Sequence, residues 1–253
     1  PVPVDGNGVR LDFLESAFAA TGARVFYCQP LFQNPTGAVL GPDRRSRVIE
    51  IVHAAGAFII EDDYARHLGH GGPLPPPLVV DDSYGAVVHI SSLTKPTSPN
   101  LRVGAVAARG PVLERLRAIQ LVDSFFVSRP LQEAALDFVT STAWPRHLRS
   151  ISAGLSERRD AMVASIRSEL PWLAPLITPS GGYHLWLRLQ DGTSEPELVD
   201  ALLRAGVVVS AGRSYFAAEA SAPHIRLSYA NTPGIDEIAE GIHRLARQLH
   251  RDG

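Results

Sequence analysis

Short β-branched runs, each closed by a cluster of polar residues, alternate along this chain with stretches of helical spacing, and few folds accommodate that order. Val25–Gln29, Ala57–Ile60, Val87–Ile90 and Val103–Ala107 read as strands. Asp43–Ala55 reads as a helix between the first two, with Asp43 as its N-cap and Gly56 as its stop. Strand–helix–strand order calls for crossover connections, so it predicts an α/β fold with a parallel sheet buried on both faces. His70–Pro77, with its glycines and prolines, reads as a loop, and Pro111–Leu121, Leu131–Val139 and Pro145–Leu170 as helices. Beyond Pro171 the punctuation changes. Strands Tyr183–Leu189, Val207–Ser210 and His224–Tyr229, a helix Glu195–Ala205 and a closing helix predict a smaller α+β region. The closing helix carries Ile235, Ile238, Ala239, Ile242, Leu245, Ala246 and Leu249 on one stripe. The reading divides the chain into domains at 1–150 and 151–253.

Composition narrows the function classes. With 45% hydrophobic and 20% charged residues the chain is neither disordered nor collagenous. No run approaches ~18 consecutive apolar residues, so no membrane span is expected. With 24 Lys+Arg against 26 Asp+Glu, this piece offers no electrostatic case for binding DNA. A single cysteine, Cys28, cannot form an internal disulfide, which points to the reducing cytoplasm. Pro1 opens the chain with no methionine and no signal-peptide pattern, so the sequence is expected to be the later part of something longer.

Three chemically loaded segments follow the first three strands: Asn34-Pro35-Thr36-Gly37, Glu61-Asp62-Asp63-Tyr64 and Ser91-Ser92-Leu93-Thr94-Lys95. Ligands of open parallel sheets bind beyond the carboxyl ends of the strands. A Schiff base needs a lysine in a partly desolvated pocket, which Lys95 can provide. A carboxylate is most useful opposite a ring nitrogen that must stay protonated, a part for Asp62. The Tyr64 hydroxyl and the Asn34 amide could hold a phenolate oxygen, and Ser92, Thr94 and Arg102 a phosphate. Together these parts describe a pyridoxal 5'-phosphate site. Each alone has a plainer reading: N-P-T-G as a turn, the acidic run as a solvated loop, Lys95 as a surface lysine. Arg44, Arg45 and Arg47 read as a solvated helix face, Arg213 as a turn residue, and Cys28 as a small core residue. Metal-ligand spacing is absent.

The segments YCQPLFQNPTG, FIIEDDY and SSLTKPTSPNLRVG resemble the cofactor motifs of fold type I, class I/II aminotransferases, and the resemblance runs across essentially the whole chain. It implies that Asn34 and Tyr64 hold the cofactor's phenolic oxygen, that Asp62 pairs with the pyridinium nitrogen, and that Lys95 forms the covalent link to the cofactor. It also implies that Ser92 and Arg102 bind phosphate and that Arg226, in Ile225-Arg226-Leu227, grips a substrate carboxylate. The catalytic set is thus Lys95, Asp62 and Tyr64. The E-D-D-Y spacing and the K-x-x-S-P-x-L-R-x-G pattern from Lys95 to Gly104 resemble, more narrowly, the aminotransferase-like domains of MocR-type regulators in the GntR superfamily. That resemblance implies a cytoplasmic, homodimeric sensor of an amine or amino acid that reaches DNA only through an N-terminal winged helix-turn-helix absent from this chain. The alternative is an aminotransferase proper. The family's Gly-rich phosphate turn and ring-stacking aromatic residue are also missing, so the chain is expected to hold its cofactor loosely or through a partner chain.

Overall fold

A computed structural model describes residues 1–250 apart from 174, 176, 219 and 221. It divides into two compact units: Val2–Gln33 with Ala38–Ile151, and Ser152–Gly253 with Asn34–Gly37 and Pro1. Positions 251–253 of the expected small region lie outside the described residues.

The larger unit opens with a hairpin, β1 (Val4–Asp5) and β2 (Gly8–Val9), followed by α1 (Leu11–Thr21), β3 (Val25–Cys28), α2 (Pro42–Ala54) and β4 (Phe58–Asp63). After these come α3 (Leu78–Asp81), β5 (Val87–Ser92), β6 (Gly104–Ala107), α4 (Pro111–Asp123), α5 (Arg129–Thr140) and the start of α6 (Ala143–Glu169). The strands lie in the order β3-β4-β5-β6. β3, β4 and β5 are parallel as expected, whereas β6 runs antiparallel to β5. The reason is the connection. Residues 93–103 contain no helix, and a parallel crossover needs about a dozen residues and usually a helix. α2 starts one residue early, on a Gly41 N-cap with Pro42 in its first turn, so Asp43 sits inside the helix rather than capping it.

Val48, Ile49 and Val52 of α2 pack with Leu14 and Phe18 of α1 over Ile59 and Val87 of the sheet. The opposite sheet face carries Val25, Tyr27, Phe58 and Val106, all exposed in this chain. The three α2 arginines do not form one solvated face. Arg44 pairs with Asp5 at 2.8 Å and donates to the Val9 carbonyl at 3.1 Å, tying the hairpin to the helix. Arg45 is buried and donates to Asp81 at 2.8 Å and the Pro76 carbonyl at 2.7 Å. Only Arg47 stays at the surface.

The smaller unit takes the rest of α6, then β7 (His184–Arg188), α7 (Glu195–Arg204), β8 (Ser210–Ala211), β9 (His224–Ser228) and α8 (Ile235–Leu249). Its sheet, in the order β7-β9-β8, is antiparallel throughout. Strand alternation turns Leu185, Leu187, Ile225 and Leu227 onto a core completed by Ile166 of α6, Leu198 and Leu202 of α7, and Ile238, Ile242 and Leu245 of α8. Ile235 and Ala239, expected on the α8 stripe, are exposed. The expected strand Val207–Ser210 reduces to Ser210–Ala211: Val207 and Val209 pack on the core from an unpaired segment, and a 3-10 turn over Gly212–Tyr215 follows at once.

Candidate functional site

β4 runs through Asp63, so the acidic triplet lies within the strand and not in a loop after it. Strand alternation then separates the three carboxylates. Glu61 and Asp63 turn to one face, buried, while Asp62 faces the other. Glu61 accepts hydrogen bonds from the backbone N–H groups of Leu78 at 2.7 Å and Val79 at 3.2 Å, and lies 3.0 Å from His89 Nδ1. It therefore ties the first turn of α3 and the neighbouring strand to β4. Asp63 pairs with Arg66, which also donates to the Pro75 carbonyl at 3.0 Å. Burial pushes the Asp63 carboxyl above the usual carboxylate range, against the pull of Arg66. Ligand atoms of Glu61, Asp63 and His89 lie within 4.8 Å of one another; donors already in place reach both carboxylates, leaving Asp63 Oδ1 buried without a partner among the described residues, and the trio braces the strand.

Asp62 has different company. The Tyr27 hydroxyl donates to its Oδ2 at 2.6 Å, and Gln29 Nε2 donates to the same oxygen at 3.1 Å and to the Tyr27 hydroxyl oxygen at 3.0 Å. Register explains the grouping: Tyr27 is opposite Ile60 and Cys28 opposite Glu61, so Tyr27 on β3 and Gln29 just beyond its end share the face of Asp62. Partial burial, followed by the hydrogen bond to Asp62, pushes the Tyr27 phenol up to about 12. Among the described residues, the hydrogen bonds to Asp62 all fall on Oδ2 and leave Oδ1 as an acceptor.

Register also gathers the second motif at the same sheet edge. Asp63 is opposite Ser91, which puts Tyr64 beyond β4 beside Ser92 at the end of β5. Ser92 is opposite Gly104 of β6, and the Leu93 N–H donates to the Val103 carbonyl at 3.0 Å. The turn between these strands thus carries Thr94, Lys95 and Arg102, with the Thr94 N–H donating to Ser92 Oγ at 3.1 Å. Arg102 holds a φ of 50°, unusual for a side chain of its size. Lys95 is exposed in this chain, unlike the partly desolvated lysine expected. It is also the only lysine in the sequence.

The remaining two expected residues meet in the smaller unit. Arg226 Nη1 donates to Asn34 Oδ1 at 2.9 Å, and Nη2 to Ser210 Oγ at 3.3 Å. The guanidinium carbon lies 4.8 Å from the centroid of the Tyr215 ring, and Nε is buried without a hydrogen-bond partner. β9 opposes Arg226 to Trp186 and Ser210, on the face away from the leucine core. Arg213 is an exposed turn residue whose backbone N–H donates to Glu195 at 2.8 Å, as its turn position suggests. The expected residues therefore form two sets, Asp62–Tyr64–Ser92–Thr94–Lys95–Arg102 in one unit and Asn34–Arg226 in the other. Sequence reasoning missed Tyr27, Gln29, Ser210 and Tyr215. For the first two a signal existed: polar residues two apart on the strand preceding the Asp62 strand.

The parallel strands β3, β4 and β5 thus end on one sheet edge that carries a half-buried carboxylate with one oxygen unclaimed and a lysine-bearing, hydroxyl-rich turn beside it. The sequence model of aminotransferase class I and II matches residues 5–245, and the chain belongs to that family. It is 29% identical over 98% of its length to the HTH-type transcriptional regulator YdfD of Bacillus subtilis (strain 168), of which it covers 51%. It is 30% identical over 98% of its length to the 2-aminoadipate transaminase of Thermus thermophilus, of which it covers 63%. The crystal structure of LysN from that organism, an α-aminoadipate aminotransferase complexed with N-(5'-phosphopyridoxyl)-L-leucine, superposes with a TM-score of 0.90 at 30% identity, covering 99% of this chain and 64% of that one. The chain thus spans about half to two thirds of the length of these relatives. Among the described residues no helix is long and apolar enough to cross a membrane.

Proposed function

We propose that the chain is a pyridoxal 5'-phosphate-binding, ligand-sensing domain of a cytoplasmic transcriptional regulator. The observation that carries the reading is Asp62: two donors occupy Oδ2, and Oδ1 remains for a ring N–H at the sheet edge that bears the only lysine. The donor set fits the cofactor group by group. Asp62 would accept from the ring nitrogen, Tyr64 would hold the phenolic oxygen, and Ser92, Thr94 and Arg102 the phosphate. When bound, the cofactor supplies an aldehyde that condenses reversibly with amines and a ring that accepts electrons from a bond broken at a ligand's α-carbon. Lys95 Nζ would anchor that aldehyde carbon and, once displaced by an incoming amine, would be a base able to move the α-proton. Arg226, with its unpaired Nε and its fork, would take a carboxylate on the ligand.

The relatives at about half coverage are regulators, and the E-D-D-Y spacing favours sensing. The second reading, an aminotransferase, is favoured by the 30% identity to 2-aminoadipate transaminase. Chemistry separates the two. A sensor completes one exchange with an amino acid and stops, whereas an enzyme sustains amino transfer when a 2-oxo acid is supplied. We expect a single turnover, and steady-state product formation would overturn the sensing reading. The ligand is a small amine or amino acid. A homodimer is the expected assembly, since Val122 in the last turn of α4 and Phe126 just beyond it are 81% and 80% exposed and call for a covering surface; sedimentation velocity reads the assembly directly, and a monomer at all concentrations would contradict it.

A further inference from the structure

We propose that Tyr27 and Gln29 are positioning residues that act through Asp62 on the ring nitrogen of the cofactor, an inference that rests on the functional reading above. The geometry is a three-membered network: Tyr27 to Asp62 Oδ2 at 2.6 Å, Gln29 to the same oxygen at 3.1 Å, and Gln29 to the Tyr27 oxygen at 3.0 Å. A carboxylate can rotate about its Cβ–Cγ bond and present either oxygen. With Oδ2 claimed by two donors rooted in the neighbouring strand, rotation is stopped and Oδ1 becomes the presented atom. Gln29 also fixes the phenol, because its amide donates to the hydroxyl oxygen while the hydroxyl proton is directed at Asp62.

The network is supported from behind. Glu61 and Asp63, the residues on either side of Asp62, are buried on the opposite face and engaged with Leu78, Val79, His89 and Arg66, so the β4 backbone under Asp62 is held. The Tyr27 side remains open, with the residue 56% exposed, and the donor persists because the phenol keeps its proton up to about 12. That raised value gives a definite sign. The contribution is complete below the ordinary tyrosine value of about 10 and is lost as the pH climbs through about 12.

The test compares two cofactors. Pyridoxal 5'-phosphate and its 1-deaza analogue, in which C–H replaces the ring nitrogen, are titrated against the wild-type chain, Tyr27→Phe, Gln29→Leu and Asp62→Ala, with circular dichroism confirming each fold. Hydrogen bonds to charged groups contribute about 1.5–3 kcal/mol, so Tyr27→Phe should weaken the natural cofactor roughly tenfold or more. It should leave the deaza analogue within about twofold of wild type, since the analogue has no ring nitrogen to feel Asp62. If Tyr27→Phe weakens both compounds equally or neither, while Asp62→Ala still weakens only the natural cofactor, the positioning role is wrong and the functional reading stands. If Asp62→Ala is also indifferent to the ring nitrogen, the functional reading itself falls.

Discussion

Arg226 is held by three neighbours through its two terminal nitrogens and one face, while its remaining donor has no partner among the described residues. Its Nη1 holds Asn34, its Nη2 reaches Ser210, one face lies on Tyr215, and Nε is left buried and unpaired. A buried unpaired donor costs about 1–3 kcal/mol, and such groups persist where a ligand completes them. Arg226→Gln should therefore weaken binding of a carboxylate-bearing amine ligand roughly 10- to 100-fold, the equivalent of about 1.5–3 kcal/mol for a hydrogen bond to a charged group. Affinity for the matching amine without a carboxylate should barely change, and calorimetry with the pair distinguishes the cases. Equal losses for both ligands would mean that Arg226 serves only to hold Asn34 and Ser210. The residue was legible in Ile225-Arg226-Leu227 because of its resemblance to a family strand, but its partners were not. Ser210 and Tyr215 reach it through antiparallel register and a 3-10 turn, and neither leaves a periodic trace in the sequence.

At the level of the elements, the β5–β6 connection decides where the lysine-bearing turn can sit. Gly104 is indispensable there: a Cβ at this position would lie 2.8 Å from the Ser91 carbonyl oxygen of the paired strand. Gly104→Ala should force β5 and β6 apart and cost about 1–3 kcal/mol, as overpacking does. A lower urea midpoint with an unchanged m-value is the expected result, and an unchanged midpoint would show that the strands tolerate the methyl. The same connection explains what the sequence could and could not show. Periodicity revealed β4, β5, α2 and α8 because each repeats over several residues. The direction of β6 was hidden, since a β-branched run looks the same in either direction and only the missing helix in residues 93–103 betrays the reversal. The extension of β4 through Asp63 was hidden as well: an E-D-D run has low strand propensity, and it pairs here because Leu78, Val79 and His89 engage Glu61 and Arg66 engages one oxygen of Asp63. The β1–β2 hairpin and α3 are too short to carry a period.

For the whole molecule, the central claim is that a chain of the class I and II aminotransferase family uses its cofactor edge to bind pyridoxal 5'-phosphate through Lys95. The composition makes that claim unusually easy to test, because every other basic residue counted among Lys+Arg is an arginine and Lys95 is the sole side-chain primary amine. Any exposed lysine reacts weakly with an aldehyde, so attachment at Lys95 alone proves little. Affinity and its dependence on Asp62 and Arg102 are what distinguish a site from a bare amine. The deciding measurement is a titration of the chain with pyridoxal 5'-phosphate, followed by borohydride reduction and mass spectrometry, alongside N-acetyl-lysine amide and the variants Asp62→Ala and Arg102→Ala. The account predicts saturable one-to-one labelling of Lys95 at cofactor concentrations at least about a hundredfold below those that label the free amine, with that advantage lost in both variants; a hundredfold corresponds to about 2.7 kcal/mol. Labelling of Lys95 no tighter than that of the free amine, and unchanged by either substitution, would contradict it.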